Sequence, residues 1–91
     1  MAYIKRLVLD VLKPHHPNAL DFTAALVDQV NNTRIKLNVV EVDEKTESVV
    51  LVIDGDDIDF VAISEHIAAQ GGSIHSIDEV DVVSRTKTAP D

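Results

Sequence analysis

The sequence predicts an α+β fold with two helices laid on one face of a four-stranded antiparallel sheet, and three observations predict it. Four stretches carry aliphatic residues in strand patterns, and two carry them at helical spacing. Proline, glycine and short polar runs separate them. Their order along the 91 residues is strand, helix, strand, strand, helix, strand.

The first strand is Tyr3 to Lys13, where Leu7, Leu9 and Val11 point one way and Ile4, Arg6, Val8, Asp10 and Leu12 the other. Pro14-His15-His16-Pro17 breaks it. Pro17 suits a first helical position, where its missing N–H is not needed, and a helix is expected from there to about Asn31. Leu20, Phe22, Ala24, Leu26, Val27 and Val30 are expected on its packed face.

Arg34 to Asp43 reads as the second strand. Ile35, Leu37 and Val39 are in phase while Val40 and Val42 are not, so a bulge is expected near Val39. Glu44-Lys45-Thr46-Glu47 makes a polar connection to a third strand, Ser48 to Asp54, whose residues Val49 to Ile53 are all aliphatic; the two form a hairpin. Asp59 is an N-cap candidate for a second helix with the stripe Phe60, Ile63 and Ile67, ended by Gly71 and Gly72. Ser73 to Ser84 is the fourth strand. One domain spans 1–84 and a polar tail spans 85–91. This is the ferredoxin-like βαββαβ sandwich, with expected strand order 4-1-3-2.

Sixteen acidic residues against eight basic ones give a formal charge of −8, a field that repels phosphate backbones. Nucleic acid is excluded as a partner on this ground, and the scarcity of aromatics removes the stacking platforms of RNA-binding sheets. There is no cysteine for a disulfide, thiolate or zinc ribbon. With no apolar run of spanning length the chain reads as a soluble, cytoplasmic protein with no membrane partner. Phosphate-cradling glycine loops, nucleophile elbows and zinc-binding helices are also missing.

The uncovered sheet face is expected to carry Val8, Leu12, Val50 and Val52, with one or two of Val40 and Val42. An antiparallel sheet facing water is normally polar there. About six aliphatic side chains at roughly 1.5 to 3 kcal/mol each give on the order of 10 kcal/mol, comparable with the 4 to 15 kcal/mol, roughly, that association costs. A homo-oligomer is expected, with Val8, Leu12, Val50 and Val52 at the interface. Long side chains such as Arg6 and Lys36 covering the patch in a monomer are the alternative.

Antiparallel pairing of the first and fourth strands brings His75 toward Lys13, His15 and His16. That rim suits a small anionic ligand or a metal bound by neutral imidazoles; the simpler reading is that His15 and His16 are exposed loop residues between prolines. Asp10, Asp78 and Glu79 are expected together on the open face, neutralised either by Arg6 or by a divalent cation such as calcium or magnesium, which takes oxygen ligands. No Asp-x-Asp-x-Asp-Gly loop accompanies them, and Asp54-Gly55-Asp56-Asp57 reads as a turn.

Four blocks, Asp10-Val-Leu-Lys-Pro-His15, Val40-Glu-Val-Asp-Glu-Lys-Thr-Glu47, Gly55-Asp-Asp-Ile-Asp-Phe60 and Gly71-Gly-Ser-Ile-His-Ser-Ile-Asp-Glu-Val80, give the chain a resemblance to the archaeal domain-of-unknown-function 211 family from about residue 3 to 83. The resemblance implies a ferredoxin-like fold, an archaeal cytoplasmic protein and subunits that assemble. It implies no reaction. Asn31-Asn32-Thr33-Arg34 departs from it by being more polar. Three functional expectations follow: a non-enzymatic, self-associating ligand- or ion-binding or regulatory module, a structural subunit of a ring or filament, or a small enzyme using Lys13 and His75 in acid–base chemistry.

Overall fold

The computed structural model of the chain describes residues 1–85. Its elements run β1 (Ala2–Pro14), α1 (Ala19–Asp28), β2 (Thr33–Val42), β3 (Thr46–Gly55), α2 (Phe60–Ala69) and β4 (Ser73–Ser84). All strand pairs are antiparallel, in the order β2-β3-β1-β4. This is the expected α+β sandwich. Except for Arg85, the tail anticipated at 85–91 lies outside the described residues.

The core lies between sheet and helices. Leu7, Leu9 and Val11 of β1 and Val49, Leu51 and Ile53 of β3 alternate onto the helix face, where Phe22, Leu26, Ile63 and Ile67 close over them. Helix α1 packs through Phe22 and Leu26, with Val30 beyond its end continuing the line. Leu20, expected on this face, is 76% exposed, and Ala24 is exposed too. Two positions along a helix is a rotation of about 200°, so both residues lie across the helix from Phe22.

Helix α1 is also shorter than expected at each end. Asn18, not a proline-led first turn, caps it by accepting from the Asp21 N–H at 2.8 Å. After Gln29 the chain turns through Asn32 at φ +51°, a left-handed conformation that asparagine tolerates better than most residues. Helix α2 begins as anticipated, with the Asp59 side chain accepting from the Ala62 N–H at 3.0 Å. It ends as anticipated on Gly71, at φ +86°, where Gly71 and Gly72 donate back to Ala68 and Ile67. Both helices span 10 residues, and among the described residues no helix is long and apolar enough to cross a membrane.

Irregularities in the strands decide which side chains reach which face. On β2 the register shifts between Val39 and Glu41, so the bulge falls where the phase change places it. On β1 a shift between Ile4 and Arg6 brings Ile4 onto the core instead of the open face. Strand β4 carries two more. Ile74, Ile77 and Val80 stand opposite Val11, Leu9 and Leu7, three residues apart where a regular strand would repeat every two, because His75 and then Asp78 supply an extra residue.

Candidate functional site

The C-terminal end of β1 carries two polar assemblies, one on each face of the sheet. On the helix face Lys13, opposite Glu47 in the β1–β3 register, is fully buried. Its Nζ donates to the Pro14 carbonyl at 2.7 Å and to Glu47 Oε1 at 3.1 Å, and stands 5.8 Å from the centre of the Phe22 ring. His15 completes the group, with Nδ1 3.0 Å from Glu47 Oε2 and Nε2 3.0 Å from the Glu44 carbonyl. Both ring nitrogens therefore face acceptors, which only the doubly protonated imidazole can satisfy by donation. The Glu47 carboxylate first, then the Glu44 carbonyl, raise the His15 pKa above its ordinary value, and His15 and Lys13 together lower that of Glu47.

On the open face a cavity of about 310 Å³ is lined by Asp10, Val11, Leu12, Ser48 and His75. Three strands build it. Asp10 lies opposite Val50 of β3 and Ser76 of β4, and Leu12, 40% exposed, lies between Ser48 and Ser73. His75 falls within one of the β4 irregularities, where the strand leaves regular pairing. Further along this face Arg6 joins three strands. Its Nε donates to Glu79 at 2.6 Å and its Nη1 to Asp54 at 3.1 Å, and both carboxylates raise its pKa, Glu79 the more. Ser76 Oγ donates to Asp78 at 2.8 Å.

The sequence-predicted residues are thus regrouped. Lys13 and His15 meet through Glu47, His16 is exposed, and His75 is on the opposite face, so the four do not form one rim. Arg6 takes Glu79 and Asp54 and not Asp10. Asp10, Asp78 and Glu79 do not converge, and among the described residues no three acidic or histidine side chains form a metal-holding group. Val8, Val50 and Val52 are half-buried on the open face, the Val8–Val52 pair in the row next to the Arg6–Asp54 ion pair. Two members of these assemblies were not anticipated. Glu47 reads as a connection residue and Ser48 as a strand start; the β1–β3 register, which would have shown both, depends on a long-range pairing. A second depression, about 160 Å³, lies at the other end of the molecule beside Gln29, Asn31, Asp57 and Asp59.

A family model described as uncharacterized ArCR, DUF211, matches residues 5–88. The chain belongs to the DUF211 family. A DUF211 chain of this kind is also similar to Uncharacterized protein MJ0319 of Methanocaldococcus jannaschii, at 46% identity over 77 residues, covering 85% of this chain and 79% of that protein. The archaeal resemblance of the four sequence blocks is thereby borne out at the level of family.

Proposed function

We propose that this DUF211 chain is a non-enzymatic module that assembles with copies of itself, the β2 edge of one copy pairing with the β4 edge of the next. The observation that carries this reading is a charge match between the two free edges. Arg34 is opposite Asp54, Asp54 opposite Arg6, and Arg6 opposite Asp81; likewise Lys36, Val52, Val8 and Glu79 share one row across the sheet. The β2 edge therefore presents Arg34 and Lys36 at the same heights at which the β4 edge presents Asp81 and Glu79.

Continuing the sheet from one copy into another sets β4 beside an antiparallel β2, with Arg34 facing Asp81 and Lys36 facing Glu79. Each such cross-strand pair contributes about 0.2–1 kcal/mol, and like charges directly opposite destabilise. Pairing β4 with β4, or β2 with β2, sets like charges against one another. Exposed aliphatics lie along the same edges, Val39, Val40 and Val42 on β2 and Ile77, Val80 and Val82 on β4. Unpaired edges of this kind are templates for another strand. A head-to-tail contact closes into a ring or propagates as a filament, so the structural-subunit alternative is contained in this reading. Val8 and Val52 would add less, since the Arg6 ion pairs lie in the neighbouring row of the sheet.

The acid–base alternative is the weaker one, because Lys13 is enclosed against α1 while His75 opens on the far face. Native mass spectrometry and light scattering test the assembly. The wild type is expected at multiples of 9.9 kDa, Arg34→Asp and Asp81→Arg separately are expected to shift it toward the single chain, and the two together to restore it. A wild type found only at the single-chain mass, or a double variant no better assembled than either single one, would overturn the proposal.

A further inference from the structure

We infer that the open-face cavity at Leu12 is a binding site for a small organic cation, a primary ammonium group on a short aliphatic body. Its volume, about 310 Å³, is at the lower end of the range for small-molecule sites. Its chemistry is uneven in a useful way. Asp10 supplies a carboxylate, Ser48 and His75 supply further hydrogen-bonding groups, and Leu12 supplies apolar contact.

Among the described residues, the side-chain hydrogen bonds of this face run from Arg6 to Asp54 and Glu79 and from Ser76 to Asp78, leaving Asp10, Ser48 and His75 uncommitted. The cation nearest in kind, Arg6, is already held by two carboxylates. Three polar residues from three strands thus line one concavity, with no side-chain partner among the described residues. The irregularity at His75 is the second observation. A β-bulge re-aims a side chain out of the regular pleat, and here it falls on His75, which lines the same cavity as Asp10 of β1 and Ser48 of β3.

The sign of the ligand follows from charge. Asp10, within a chain of net charge −8, disfavours an anion. A bare divalent cation would need more oxygen ligands than one carboxylate and one hydroxyl. A protonated amine needs only these: its N–H groups reach the Asp10 carboxylate and the Ser48 hydroxyl, charge-assisted at the first. Its carbon chain lies on Leu12, and a second polar group reaches His75. All lining residues come from one chain, so the site does not rest on the assembly proposed above.

The test is titration calorimetry of the full chain with 1,4-diaminobutane, using 1,4-butanediol as the neutral counterpart. Saturable binding of one diamine per chain is expected, with none for the diol. Asp10→Asn is expected to weaken it by about tenfold or more, the scale of a lost charge-assisted hydrogen bond, and Ser48→Ala and His75→Ala by less. Asp57→Asn, at the opposite end of the molecule, should leave it unchanged. Absence of saturable diamine binding, equal binding of the diol, or equal weakening by Asp57→Asn and Asp10→Asn would overturn the inference, the last by showing a diffuse acidic surface. Circular dichroism of each variant establishes that it is folded before it is titrated.

Discussion

Leu12 and Lys13 are neighbours on one strand, yet the polar groups around them have opposite fates. On one face of the sheet Lys13, Glu47 and His15 engage one another and two backbone carbonyls at 2.7 to 3.1 Å. Across the sheet Asp10, Ser48 and His75 share a cavity and engage no side chain among the described residues. Both groups set a carboxylate beside a histidine at the same end of the fold. What separates them is closure. A buried charge persists only when partners enclose it, and the enclosed group is thereby committed to holding β1, β3 and the β2–β3 hairpin together. The open group has made no such commitment.

The largest effect should come from breaking the closed group. Lys13→Ala removes a fully buried stem that contacts the Phe22 face and carries the counter-charge of Glu47. A loss of about 2–5 kcal/mol is expected, the scale for truncating a long buried side chain, measured by urea unfolding at fixed protein concentration so that assembly does not contribute differently. Lys13→Met, which keeps the stem, should lose less. If Lys13→Ala unfolds within about 0.5 kcal/mol of the wild type, the range of an ordinary surface substitution, the closed group is not structural.

The contrast between the two groups was only partly legible in the sequence. Element order and type follow from periodicity, and the caps at Asp59 and Gly71 follow from local chemistry, because each depends on residues within a few positions. The period-three spacing of Ile74, Ile77 and Val80 looks irregular as a strand until the β4 irregularities explain it. Lys13 shares a strand end with His75, yet one residue's difference in parity sends it to the opposite face from Leu12. Glu47 reads as a connection residue in the sequence because its role exists only once β3 is set against β1. Local patterns place a residue on an element; long-range register decides its company.

A smaller effect separates the groups through pH. His15 has a raised pKa, so its contribution to stability is fully present below the unfolded value near 6.5 and is lost as pH rises through the higher folded value. Glu47 has a lowered pKa, so its contribution is present above about 4.5 and is lost as pH falls through the lower folded value. Between these limits both contribute fully. Thermal unfolding of the wild type should therefore lose part of its advantage over His15→Asn as pH is raised above 6.5. An advantage that stays constant through that range would mean that the imidazole is held neutral, with only one of its two nitrogens donating.

The smallest effect belongs to the open group, and its sign sharpens the comparison. Asp10→Asn and Ser48→Ala break no internal side-chain hydrogen bond among the described residues, and both residues are half-buried beside valines. Stability should change by no more than about 0.5 kcal/mol, with Asp10→Asn tending upward because a carboxylate without a counter-charge leaves a partly apolar surface. Denaturant midpoints measure this directly. A substitution that is neutral or favourable for folding yet weakens amine binding is the mark of a residue kept for its chemistry and not for the fold. A clear destabilisation by Asp10→Asn would instead give Asp10 a structural part like that of Lys13, and the two faces of β1 would no longer differ in kind.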